Sequence, residues 1–193
     1  MSERAAVSNS RATDGVPRSA AVLEAALGRF AQFGYRKTSM DDVAHAARIS
    51  RPGLYFLFNS KEELFRAAVS QAVNADVDAV AGILDAPDRP LRRRLLDSFD
   101  RWAGRYVGPA ALDLAAVIDD NPGLLGSLVV SAPKRFAELI THAIAAEFTD
   151  RDQAFARDVS RTLISTSIGI KYQVKTRAAY RKRLDVAIGL VLR

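Results

Sequence analysis

The segment from Thr38 to Phe65, TSMDDVAHAARISRPGLYFLFNSKEELF, constrains this chain more than any other. Ser39 can cap a helix through its hydroxyl, and Asp42 three residues on completes a weaker version of a capping box. Ser50 opens a second helix, with Pro52 tolerated in its first turn. Ser60-Lys-Glu-Glu63 is a stronger capping box and opens a longer helix. Two short helices, a tight turn and a third capped start form a helix-turn-helix, the unit that places a short helix in the DNA major groove.

Everything around this segment reads as helix. The first helix runs from about Arg18 to Phe33, with Leu23, Ala26, Leu27, Phe30 and Phe33 on one apolar face, and Gly34 is expected to stop it. The fourth helix extends to about Leu84, and APDRP (86–90) is a loop. Leu91, Leu95, Phe99, Trp102 and Tyr106 mark a fifth helix, broken at Gly108-Pro109. A sixth covers about 111–119 and ends at Asn121-Pro-Gly123. A seventh extends to about Phe148, with Pro133 expected to interrupt or kink it. An eighth runs from about Arg151 to Val174, and Thr176 caps a ninth. No segment keeps a period of two. The expectation is an all-α chain of about nine helices: a flexible tail over 1–17, a DNA-binding domain over 18–60 and a larger helical domain over 61–193.

Charge sharpens this division. The formal net charge is +6, yet residues 1–66 carry +3, residues 67–170 carry −3 and residues 171–193 carry +6. The strongest basic block is therefore C-terminal and reads as a solvated rim, so net charge alone would misplace the DNA reader. The chain has no cysteine, which excludes disulfides and thiolate metal sites. The first 17 residues lack the apolar stretch of a signal peptide. No apolar run approaches the ~18 residues of a membrane span. A soluble, cytoplasmic protein is expected.

Within the helix-turn-helix, Val43, Ala44, Ala47, Ile49, Leu54 and Phe58 have the spacing to close a small core. What remains exposed is what can face DNA. Ser50 and the first amides of its helix can hold a phosphate. Arg51 can reach a guanine edge or a phosphate, Gly53 lets the backbone approach, and Tyr55 and Lys61 can pair with phosphates. Thr38, Ser39, Pro52 and Phe56 complete the candidate DNA-binding set.

Thr38-Ser39, Val43-Ala44, Ala47, Ile49-Ser50, Gly53-Leu54-Tyr55, Phe58 and Ser60-Lys61-Glu62 together resemble the DNA-binding domain of the tetracycline-repressor (TetR/AcrR-like) family. The resemblance is close over some 28 residues and extends in pattern over about 18–66. It implies three helices for DNA and about six for ligand binding and dimerisation. It also implies a homodimer built through the last two helices, a palindromic operator in double-stranded DNA, and release of a repressor when a small-molecule effector binds. For that interface the expected residues are Leu163, Ile170, Leu184, Ile188 and Val191. The sequence departs from the family pattern twice. Arg48 stands in the turn where glycine is usual, so a left-handed conformation there would carry strain. Leu57 stands where a phosphate-contacting His or Tyr is common.

Other constellations are weaker. His45 and His142 are far apart and have no metal-binding spacing. Asp119-Asp120 point different ways on a helix and make a poor acid–base pair. Phe99, Trp102 and Tyr106 share one side of the fifth helix; with His142 and Thr166 they are the candidate effector-binding residues. The run Arg92-Arg93-Arg94 reads as a solvated face. No phosphate loop, dinucleotide fingerprint or nucleophile elbow is present, so no enzyme, cofactor or metal is expected. The alternative from another class is a helical ligand-binding or adaptor protein whose helix-turn-helix is vestigial.

Overall fold

The computed structural model describes residues 15–108, 117–118 and 120–192. Every regular element among them is helical. The helices are α1 (Gly15–Lys37), α2 (Met40–Ala46), α3 (Arg51–Leu57), α4 (Lys61–Leu84), α5 (Leu91–Trp102), α6 (Pro122–Leu125), α7 (Leu128–Glu147), α8 (Gln153–Gln173) and α9 (Arg177–Val191), with a 3-10 turn at Gly104–Tyr106. Most of the expected sixth helix and of the expected tail lie outside the described residues; 117–118 are helical, and 15–17, expected in the tail, begin α1. The chain divides into two compact units, Met1–Gln71 and Ala72–Arg193.

In the first unit α1 packs on α2 and α2 on α3. Val22, Ala26, Phe30, Val43, Ala44, Leu54, Phe58, Leu64 and Phe65 are buried together. Gly34 ends the first, regular run of α1 as expected. It kinks the helix at φ 79°, ψ 161°, a conformation closed to residues with a Cβ, and the chain then resumes a turn to Lys37. The Thr38 hydroxyl donates back to the Gly34 carbonyl at 2.9 Å, which fixes the far side of the kink. Phe33, expected on the apolar face, is 41% exposed and lies under the Arg29 guanidinium at 4.4 Å.

In the second unit α7 packs on α8, and α9 packs on both α5 and α8. The core gathers Val80, Leu84, Leu95, Phe99, Phe136, Ile140, Ile144 and Tyr180. It also contains Leu163, Ile170, Leu184 and Ile188, four of the five residues expected at a dimer interface. The apolar stripe of α9 is covered by its own chain, so these side chains are not free to meet a partner. Val191 packs against the edge of the same core. What α8 and α9 expose instead is Ile168 and Tyr172 on one and Val186 and Leu190 on the other, each pair four residues apart.

Two helix breaks differ from expectation. α5 stops at Trp102 and the chain tightens into the 3-10 turn, so Tyr106 is not on the α5 face of Phe99 and Trp102. The turn brings the backbone close to its neighbours: a Cβ on Gly104 would lie 2.5 Å from Asp100 Oδ1 and 2.8 Å from the Tyr180 ring. Pro133 sits inside α7 without ending it. Its missing N–H removes one helical bond, and its place near the start of the helix limits the damage.

The arginine run is solvated at Arg92 and Arg93, as expected, whereas Arg94 is largely covered, and all three guanidiniums are paired. Arg92 donates twice to Asp185 of α9, Arg93 pairs with Asp97, and Arg94 donates to the Leu84 carbonyl and to Glu147. Asp97 also accepts from Arg89 and Arg181. Asp100, 4% exposed, accepts from Arg177 at 2.9 and 2.6 Å and from Arg181 at 2.6 Å. Burial pushes the Asp97 and Asp100 carboxyls up, but the arginine hydrogen bonds outweigh it and hold both below the usual carboxylate range. Part of the basic C-terminal block thus neutralises acids of α5.

Candidate nucleic-acid interface

α2 and α3 are seven residues each, so nearly every backbone group in them is terminal and needs a partner from a cap. Ser39 and Asp42 form a complete reciprocal box: the Asp42 amide donates to Ser39 Oγ at 3.1 Å, and the Ser39 amide donates to Asp42 Oδ2 at 2.8 Å. Hydrogen bonds from the Ser39 hydroxyl and then its amide hold the Asp42 carboxyl below the usual carboxylate range. At α3 the Gly53 amide donates to Ser50 Oγ at 3.1 Å. A Cβ at Gly53 would lie only 3.0 Å from that same oxygen, so glycine here serves the cap. At α4 the Glu63 amide donates to Ser60 Oγ, while the Glu63 carboxylate takes the amide of Asn59 rather than that of Ser60. The turn between α2 and α3 runs through Arg48 at φ 55°, so the left-handed conformation usual for glycine is kept with arginine in place.

These contacts sort the candidate DNA-binding residues. Thr38 is 2% exposed, and its hydroxyl is turned to the Gly34 and Arg29 carbonyls; it braces α1 and is not presented to a ligand. Ser39 and Ser50 are caps. Lys61 Nζ donates to the Tyr35 carbonyl at 3.1 Å and lies 4.4 Å over the Tyr35 ring, which packs with Phe30 and Phe65. Arg51 is exposed but held: Nε lies 3.1 Å from Asp41 Oδ1 and Nη1 donates to Asp41 Oδ2 at 3.1 Å. Its guanidinium also stands 5.7 Å from the Tyr55 ring. Pro52 is exposed, Tyr55 is 41% exposed and Phe56 is 90% exposed. Leu57 is half-buried. Asp41 and Tyr35, which engage the two candidate cations, carry no sequence pattern that would have singled them out.

The effector candidates are scattered within the second unit. Phe99 is 1% exposed and meets Phe136 edge-on at 5.2 Å. Trp102 stacks on Phe136 at 4.9 Å. Tyr106 donates its phenol to Asp76 at 2.6 Å, and Asp76 also takes Arg101 and Arg105, each at 2.7 Å. Burial and then the bond to Asp76 push the Tyr106 phenol well up from its ordinary value. Thr166 is half-buried. His142 is exposed on α7, an outward position that does not suit a pocket wall. Ser98 Oγ and Arg101 Nε are buried without a hydrogen-bond partner among the described residues. No group of three or more His, Cys, Asp or Glu able to hold a metal forms among the described residues, and none of their helices is long and apolar enough to cross a membrane.

Comparison with known proteins agrees with this geometry. Residues 22–68 match the family model described as bacterial regulatory proteins, tetR family. The chain is 37% identical over 131 residues to the HTH-type transcriptional regulator RutR of Escherichia coli, covering 58% of this chain and 61% of RutR. The matches to curated relatives span from about a quarter to three fifths of those proteins' own length. Among solved structures, a TetR-like transcriptional regulator from Rhodococcus sp. RHA1 superposes with a TM-score of 0.62 at 25% identity, covering 91% of this chain and 95% of that one. A Saccharomonospora viridis protein solved in complex with choline shares the fold with a TM-score of 0.73 at 20% identity, covering 90% and 96%. A tetR-type helix-turn-helix over residues 22–68 is thus followed by a helical unit, and the chain as a whole shares the fold of TetR-like transcriptional regulators.

Proposed function

We propose that the chain is a one-component transcriptional regulator that binds double-stranded DNA through α3 and releases it when a small molecule binds the second unit. The observation that carries this reading is the α3 surface: a capped seven-residue helix on a helix-turn-helix that leaves Pro52, Tyr55 and Phe56 outward. The two departures from the family pattern do not favour a vestigial module. Arg48 keeps the turn, and Leu57 is turned partly inward.

Repression follows from occupancy. A dimer on a palindromic operator puts two copies of α3 on half-sites one helical turn or a multiple apart and blocks that stretch of duplex. The exposed pairs Ile168–Tyr172 and Val186–Leu190 supply apolar surface for such a homodimer on α8 and α9, in place of the core residues first expected. α4 begins in one unit and ends in the other, so a displacement of its far end changes the spacing of the two α3 helices and breaks register. By linkage the effector then binds the DNA-bound protein more weakly by the factor it costs DNA.

Trp102 and Tyr106 are the aromatic side chains proposed to meet the effector. Ser98 Oγ and Arg101 Nε, without a hydrogen-bond partner among the described residues, lie within one turn of Trp102 on α5 and are proposed as polar anchors for it. Choline in a protein of similar fold supports a small organic effector. The test is selection of bound sequences from a random duplex pool, followed by a salt titration of the selected site. A steep fall of affinity with salt and a palindromic consensus are expected. A folded protein that retains no sequence from the pool would refute the reading. Compounds are then screened for quenching of Trp102 together with release of the selected DNA.

A further inference from the structure

We propose that α3 selects its DNA through the C5-methyl groups of thymine, with Phe56 as the principal specificity-determining residue; this rests on the DNA-binding reading above. Phe56 is 90% exposed, more than any other large apolar side chain described, although the small core of the same unit has closed around four other phenylalanine and tyrosine rings or their edges. Pro52 lies one turn earlier on the same face and is also exposed. The outward side of α3 is therefore apolar at two successive turns.

Apart from Tyr55, which is 41% exposed, the polar side chains at α3 that would ordinarily contact bases are otherwise engaged. α3 is RPGLYFL, so Arg51 and Tyr55 are its only residues with polar side-chain atoms. Arg51 is bound to both oxygens of Asp41, and bidentate readout of guanine would require that pair to open. Ser50 Oγ accepts from the Gly53 amide, and Lys61 donates to the Tyr35 carbonyl. In the major groove the one apolar feature of a base-pair edge is the thymine methyl, which phenyl and aliphatic side chains contact. A face built from Pro52 and Phe56 has little means to distinguish a guanine from a cytosine and a direct means to distinguish thymine from any base lacking that methyl.

The experiment uses the full chain and the duplex selected from the random pool. Each thymine is replaced in turn by deoxyuridine, which removes the methyl and leaves the hydrogen-bonding edge intact. Affinities are read by fluorescence anisotropy for the native protein and for Phe56→Ala and Phe56→Leu. One or two positions per half-site are expected to lose about fourfold on loss of the methyl, the factor that corresponds to one buried methyl group. In Phe56→Ala that sensitivity should vanish while the salt slope stays unchanged; in Phe56→Leu it should persist in part. Phe56 is exposed, so both variants should keep the native helical content. Deoxyuridine without effect at every position would overturn the proposal, as would an undiminished deoxyuridine penalty in Phe56→Ala. A Phe56→Ala protein that binds DNA as before but loses a protein partner would reassign the ring to protein docking and overturn it too. Absence of any selected DNA would instead refute the DNA-binding reading, and this proposal with it.

Discussion

The two units of this chain hold their helices by opposite means. The first works at helix ends: Ser39, Ser50 and Ser60 accept amides there, and positive φ angles at Gly34 and Arg48 turn the chain. Its core is built of apolar and aromatic groups, and of its charged side chains Arg29 sinks its Nε at the edge. The second works on helix faces: Asp76 and Asp100, each 4% exposed, draw arginines from α5, the 3-10 turn and α9. Length explains the difference. A seven-residue helix is almost all ends, whereas the helices of 12 to 21 residues in the second unit have longer faces that need a fixed register. Buried ion pairs specify that register at some cost in stability, a role with precedent in helix pairing.

The sharpest break in this comparison is a charge on α9. Ile188→Glu puts a carboxylate into the sealed core of the second unit and should cost more than about 4 kcal/mol, leaving little folded protein. Ile168→Glu and Leu190→Glu change exposed positions on the same helix pair, so they should leave the fold intact and yield monomers by light scattering with weakened operator binding. A native-like, dimeric Ile188→Glu would show that α9 is not sealed as the structure has it.

Asp100→Ala is next. Its loss leaves Arg177 and Arg181 facing a site that no longer neutralises them, but Arg177 is more than half exposed and can turn to water. The expected cost is therefore about 2–3 kcal/mol, at the lower edge of what breaking a buried pair gives. Trp102 is the only tryptophan and lies in this unit, so its fluorescence follows urea unfolding there directly. Acid acts through the same groups. Asp97 and Asp100 titrate below their unfolded values, so their contribution is complete above about pH 4 and is lost as pH falls through the folded values. The fall in the Trp102-reported midpoint below that pH should be shallower in Asp97→Asn/Asp100→Asn. Equal slopes would mean that these pairs do not govern the acid response.

The contrast between units also marks what was legible in the sequence. Caps are local, so Ser39, Ser50, Ser60 and Thr176 announced the helix starts, and the buried set Val43, Ala44, Leu54 and Phe58 followed from spacing alone. The α9 stripe was equally visible, but periodicity says that a face is covered and not by what; the fold covers it with its own chain. Pairings across long separations leave no trace in a single sequence. Arg92 with Asp185, Arg177 with Asp100 and Arg51 with Asp41 join residues 93, 77 and 10 positions apart, and so the partners of these arginines were not foreseen. At the candidate interface the sequence named α3 as the helix to examine. It did not separate Thr38 and Lys61, which brace the unit, from Pro52 and Phe56, which face outward, because that distinction depends on Gly34 and Tyr35.

The smallest effects test whether backbone conformation governs the first unit. Gly34→Ala places a Cβ in a region open to glycine alone and should cost about 1–3 kcal/mol, although nothing lies within 4 Å of the new atom. The loss would be conformational and not steric against neighbours. Arg48→Gly runs the other way through two opposed terms. Relief of the left-handed strain returns about 1–2 kcal/mol, while the freer unfolded chain takes back about 0.5–1 kcal/mol. A net gain of about 0–1.5 kcal/mol is expected. Arg48→Val, β-branched at the same positive φ, should instead lose stability. Trp102 does not report on this unit, so the measurement is hydrogen exchange at the buried amides of α2 and α3, whose slowest members follow its opening. If Arg48→Gly and Arg48→Val shifted exchange equally, the side chain of Arg48 and not its φ of 55° would be what matters at this turn.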